Sequence, residues 1–320
     1  MSSAIQQIPP DNTTAMLDAA VETFLAGRNP NTQRVYAARV DEFVDWYGSQ
    51  PPQPFIAALK NYVTHLREER GNSKRTVQAK VNTIKGLIKT AAALYPPLVS
   101  QLPALDLVDT PVVRGQVQGT RLTGQQRQRL IDAPGTDTHK GRRDTAILAL
   151  LSVCGLRRSE ICALDWRHID ELDGHKVIRN LECKHGRVRT VKLPPALWRL
   201  IHRWAGEAGI SKEHDAPVFV QVLRGDNVTD SRLTGGAIAY IVTEYARATF
   251  HEADERSAWG ITPHDLRRTA AALARKGGAS IEQVQAMLGH ASPQTTSDYI
   301  GESLDLDDHA VDYADVRIPD

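Results

Sequence analysis

Cysteine is scarce in this chain of 320 residues: only Cys154, Cys162 and Cys183 are present. An odd, widely spaced set excludes a disulfide framework and fits a reducing compartment. No pair has CxxC spacing, so no zinc site is expected. Long apolar runs are also missing. None approaches the roughly 18–20 residues needed to cross a bilayer. The opening MSSAIQQIPPDNTT has no basic stretch followed by an apolar one, so an export signal is not expected and a cytoplasmic chain is. Internal repeats and low-complexity tracts are absent too. Net charge is nearly absent, at +1, which on its face speaks against a polyanionic partner. What remains is ordinary globular material: 41% of residues are hydrophobic, and the length suits about two domains at roughly 100–200 residues each.

The neutral sum hides an uneven distribution. Residues 27–93 carry eleven Lys and Arg against five acids, and residues 301–320 carry seven acids against Arg317 alone. A basic body followed by an acidic tail raises the prospect of phosphate contacts, because each neutralised phosphate releases counterions. Solvated helix faces would give the same charge pattern.

The basic segment is patterned for helices. Tyr36, Val40, Phe43 and Tyr47 recur at i, i+4, i+7, i+11, and Val77, Val81, Ile84 and Ile88 repeat that spacing. Asn31-Thr32 and Asn72-Ser73 supply cap-type residues before the two stripes. A helical domain of about four helices over 15–101 is predicted. Residues 102–120, LPALDLVDTPVVRGQVQGT, lack any period and are expected to be a linker. A second domain then runs from 121 to 302, with 303–320 as an acidic tail. Thr123 and Gln126 have capping-box spacing. Asp144 to Cys154 is nearly all apolar, hence a buried helix, and Gly155 stops it. Residues 176–193 alternate around Gly186 and predict a β-hairpin, extendable to three strands, with helices thereafter. Thr262-Pro263 and Ser280/Gln283 mark helix starts, Gly289 a stop, and Ser292-Pro293 one further start.

Four separated segments place basic or acid–base residues at loops and helix starts, where functional groups concentrate. They are Gly155-Leu156-Arg157-Arg158-Ser159-Glu160, the hairpin containing Lys184, Thr262-Pro263-His264-Asp265-Leu266-Arg267-Arg268, and Leu288-Gly289-His290 with Tyr299 nine residues on. In this order GLRRSEI, CKHGRVRTVKLP, PHDLRRTAA and LGHASPQTTSDY resemble the signature of the tyrosine recombinase (phage integrase and Xer) family. NTQRVYAARVDEFVDWY with SKRTVQAKVNTIKGLI resembles the family's core-binding domain, so the resemblance covers about residues 15–300. Cys183 and His185 stand where the family usually has glycine.

The resemblance implies a mainly α fold with a small β-sheet: a helical DNA-binding domain and an α+β catalytic domain. It also implies a site-specific DNA recombinase that integrates, excises or resolves DNA without metal, cofactor or ATP. Tyr299 is then the nucleophile, a phenol of pKa ~10 that must lose a proton on attack. Arg157 and Arg267 match the clamp on the non-bridging phosphate oxygens, where guanidinium stays charged at any working pH. His264 fits proton handling, Lys184 the general acid for the leaving 5′-oxygen, and His290 a hydrogen bond to the scissile phosphate. Arg75, Lys80 and Lys85 are expected phosphate contacts on the helical domain. The partners implied are double-stranded DNA sites and a homotetramer spanning two of them, with the acidic tail as an exchange element between subunits.

Each residue also has a plainer reading. Arg157 can be a surface residue at a helix start, His290 a helix-end histidine and Tyr299 a core tyrosine. Glu160 reads as a helix-start acid. Arg158 and Arg268 are adjacent alternatives, as are Arg187, Arg189 and Lys192 in the hairpin, while Tyr313 sits in acid-rich sequence unsuited to a phosphate. A type IB topoisomerase, a catalytically silent DNA-binding regulator and a nuclease are the alternative functions.

Overall fold

The computed structural model describes residues 10–111, 120–182, 188–250 and 260–290, together with Thr296. The chain divides into two compact units, residues 1–115 and 116–320.

The first unit is all helical among its described residues. Helices α1 (Pro10–Leu25), α2 (Pro30–Gly48), α3 (Phe55–Thr64), α4 (Lys74–Leu94) and the single turn α5 (Leu102–Leu105) surround one core. The two apolar stripes supply it: Val40 and Phe43 from α2, and Val77, Val81 and Ile84 from α4, are all buried. Phe43 meets Tyr62 edge-on with ring centroids 5.0 Å apart, a geometry the ring quadrupoles favour. The cap of α2 is Asn29 rather than Asn31. Its side chain accepts from the Thr32 amide at 2.9 Å, and Pro30 begins the helix. Ser73 caps α4 as its sequence suggests. The segment from 102 is not all linker: Leu105 and Val108 are fully buried in this core, because a short helical turn brings both against α4. Residues 112–119 lie outside the described ones.

The second unit is α+β. Its helices are α6 (Gly124–Asp132), α7 (His139–Ser152), α8 (Arg158–Cys162), α9 (Pro195–Glu207), α10 (Gly235–Thr249), α11 (Pro263–Lys276) and α12 (Ile281–Leu288). Strands β1 (Ile169–Leu172), β2 (His175–Glu182) and β3 (Val188–Lys192) form an antiparallel sheet in that order. The expected hairpin is therefore present with its third strand. Its tip, including Lys184 and Gly186, falls outside the described residues. A second hairpin departs from the all-helical expectation after residue 194. Strands β4 (Val220–Leu223) and β5 (Asn227–Arg232) pair across a turn that Gly225 and Asp226 make with φ of 75° and 63°. Gly225 allows that geometry without a Cβ penalty.

Helix α7 is the central element, buried along nearly its whole length. It begins at His139 rather than at Asp144, and its polar first turn is satisfied partly from a distance. Asp226 accepts from the amides of His139 and Lys140 at 2.7 and 2.8 Å, and buried Asp144 takes hydrogen bonds from Lys140, Arg143 and Tyr245. Among the described residues no helix is long and apolar enough to cross a membrane.

Candidate active site

The site begins where α7 ends. Gly155 has φ of 63°, and a Cβ there would sit 3.0 Å from Leu288 Cδ2 and 3.6 Å from the Ala270 Cβ. Only glycine meets both demands, the left-handed backbone and the close approach of α11 and α12. Two residues later Arg157 caps α8 in extended conformation. Glu160 then does what a helix-start acid does: its Oε2 accepts from the Arg157 amide at 2.6 Å.

Glu160 does more than this. Its Oε1 lies 2.7 Å from an Arg157 guanidinium nitrogen, and its Oε2 lies 2.6 Å from Arg189 of β3 and 4.0 Å from Arg267 of α11. The carboxylate is 3% exposed, Arg267 2%, Arg189 5% and Arg157 24%. Three guanidiniums thus converge on one buried carboxylate, and an excess of positive charge is left, with Arg157 the most accessible of them.

Arg267 is placed by the start of α11. Thr262 and Asp265 cap that helix reciprocally, and Pro263 occupies its first turn. Arg267 donates to the carbonyls of Gly155 and Leu288, each at 2.5 Å. His264, one turn earlier, is exposed. Partial desolvation and the Arg268 charge, with Arg267 and Arg157 behind it, hold its imidazole below the ordinary range against the opposing pull of Asp265.

His290 follows the stop of α12. Gly289 is left-handed, its amide bonds to Ala286 O, and the His290 amide bonds to Gln285 O. These are the two bonds of a Schellman motif. His290 Nδ1 lies 3.0 Å from Thr296 Oγ1. Burial, then Arg267, Arg157 and Arg189, push its pKa down to about 4, so the ring is neutral at pH 7. Both histidines register the same cationic field.

Of the sequence-predicted catalytic residues, Arg157, His264, Arg267 and His290 therefore come together. Lys184 and Tyr299 lie outside the described residues. Arg189 was weighed only as an alternative to Lys184 in the hairpin, and Glu160 only as a helix-start acid; that Arg189 turns inward from β3 to join Glu160 had no local signal. On the helical unit, Arg75 is exposed at the start of α4. Lys80 instead pairs with Glu42 at 2.6 Å, and Lys85 donates to Val108 O at 2.8 Å. Among the described residues no cluster of three or more His, Cys, Asp or Glu side chains is arranged to hold a metal ion.

Residues 120–304 match the model of the phage integrase family. The chain belongs to that family. It is 32% identical over 243 residues to the tyrosine recombinase XerC of Corynebacterium efficiens, covering 72% of this chain and 68% of that protein. It is also 32% identical over 303 residues to the tyrosine recombinase XerD of Ralstonia nicotianae, covering 91% of each. Among solved structures, the Tn1549 transposon integrase in complex with transposon right end DNA matches with a TM-score of 0.63 at 18% identity, over 90% of this chain and 94% of that one. A lambda integrase dimer bound to a core site matches with a TM-score of 0.63 at 17% identity, over 92% of this chain and 79% of that one. A helical fold with small antiparallel sheets is thus shared with both solved structures.

Proposed function

We propose that this phage integrase family member is a site-specific tyrosine recombinase that breaks and rejoins duplex DNA through a 3′-phosphotyrosyl intermediate. The observation that carries this is the buried Glu160 with its three convergent guanidiniums, beside two histidines whose pKa values are lowered first by burial and then by neighbouring arginines. Such a pocket is built to receive an anion whose negative charge grows during reaction, as the non-bridging oxygens of a phosphodiester do at the pentacovalent stage.

In the reaction Tyr299 Oη attacks the scissile phosphorus, loses its proton, and expels the 5′-oxygen. Arg157 and Arg267 neutralise the non-bridging oxygens, and Arg157 is the more accessible of the two. His264 handles the phenol proton, and His290 donates a hydrogen bond to the phosphate. Lys184 protonates the leaving oxygen. The freed 5′-hydroxyl of a partner duplex then attacks the phosphotyrosine and restores the phosphodiester, so the bond energy is conserved and ATP is not consumed. Exchange between two duplexes calls for a homotetramer, with the acidic segment 303–320 passing between subunits. The helical domain at 15–101 contacts DNA through exposed basic residues such as Arg75, and the DNA substrate places the chain in the cytoplasm.

The test is a nicked suicide duplex, built on the site this protein selects from random-sequence DNA and incubated without divalent metal. A covalent protein–DNA band on a denaturing gel, absent in Tyr299→Phe, is expected. A stable site-specific complex that never becomes covalent would sink the cleavage assignment.

A further inference from the structure

We propose that Arg189 is a positioning residue for DNA strand cleavage, holding the Arg157 guanidinium and the His290 turn in register through Glu160 and the Met287 carbonyl. The inference rests on the phosphate-clamp role of Arg157 proposed above and adds a residue to it.

The geometry comes from accounting for the end of α12. A helix leaves its last four carbonyls without partners inside it. Here the Schellman bonds satisfy Gln285 and Ala286. The remaining two are met by side chains from other elements: Arg267 donates to Leu288 O, and Arg189 donates to Met287 O. Cations at this end also suit the helix dipole. Gly289 and His290 follow at once, so the height of the imidazole depends on both arginines.

Arg189 faces the other way as well. Its second terminal nitrogen donates to Glu160 Oε2 at 2.6 Å, the same oxygen that accepts from the Arg157 amide. The planar fork of a guanidinium spans the two acceptors in a fixed geometry, which a lysine ammonium on its flexible stem does not. β3, α8 and the end of α12 are thereby tied at one point. Arg189 is 5% exposed, and both acceptors belong to the protein, so it acts through Glu160 and α12 rather than on substrate.

A role exerted through the clamp differs measurably from a role in stability. The probe is the suicide duplex with either a normal scissile phosphate or a methylphosphonate, in which a methyl group replaces one non-bridging oxygen and removes the charge. Single-turnover cleavage at saturating protein is compared for wild type, Arg157→Ala and Arg189→Gln, with DNA affinity and thermal unfolding measured alongside. On the phosphate, Arg189→Gln is expected to cleave about 100-fold more slowly with little loss of affinity, as small misplacements of reacting groups do. On the methylphosphonate the deficit of both variants relative to wild type is expected to shrink to within about threefold, because the clamp has less charge to stabilise. If the Arg157→Ala deficit shrinks and that of Arg189→Gln does not, Arg189 is framework alone and the inference is wrong. If neither shrinks, the clamp role of Arg157 itself fails, and the inference falls with it. Should Arg189→Gln not fold, Arg189→Lys keeps the charge, loses the fork, and enters the same comparison.

Discussion

Glu160 is a single carboxylate that three arginines from three elements depend on. Removing one partner of a buried charge cluster leaves the others uncompensated, which costs about 3–5 kcal/mol. Glu160→Ala is therefore expected to destabilise the second unit by that order. Tryptophan fluorescence during urea unfolding reads this, since Trp166, Trp198, Trp204 and Trp259 all lie in that unit. An unchanged transition would mean the cluster is not needed to hold the fold. Gly155→Ala is expected to cost about 1–3 kcal/mol in the same assay, from the left-handed backbone and the crowding against Leu288. Arg157, His264, Arg267 and His290 were picked out by their resemblance to the family motifs, and cap and glycine signals placed those motifs at or near helix ends. The place of Arg189 in the cluster was not legible. Its partners lie 29 and 98 residues away in the chain, and only folding reveals that the three meet.

At the scale of elements, local chemistry foretold most helix ends: Ser73, Thr123, Thr262 and Ser280 cap as their spacing suggests, and Gly289 stops α12. Prediction failed where a distant partner decides. The polar first turn of α7 is buried because Asp226 from the β4–β5 turn caps it, and Lys80 is drawn into α4–α2 packing by Glu42. The helix-terminal histidines carry a pH consequence. In the free protein both have lowered pKa values, His290 about 4. A bound phosphate raises them, so the complex holds more protons than the free protein. DNA binding is then expected to strengthen as pH falls from 7.5 toward 5.5, with net proton uptake in calorimetry across buffers of different ionisation enthalpy. Proton release would contradict it. Folding responds with the opposite preference. Because the unfolded histidine titrates near ~6.5, stability is full above that pH and declines as pH falls toward 4.

For the whole molecule, the sequence splits its charge between a basic helical segment and an acidic tail that lies outside the described residues, and two of the three basic residues first expected on DNA are engaged within the fold. Arg75→Ala is accordingly expected to weaken DNA binding uniformly across sequences and to reduce the slope of log affinity against log salt by about 1. Lys85→Ala, whose ammonium serves Val108 O, is expected to change that slope little. The central claim concerns one of eight tyrosines, and peptide mapping of the trapped adduct tests it most directly. The covalent complex formed on the suicide duplex is digested with nuclease and protease, and the nucleotide-bearing peptide is identified by mass spectrometry. The expected result is a single phosphotyrosyl nucleotide on Tyr299; a nucleotide on Tyr313, on any other residue, or on none would contradict it.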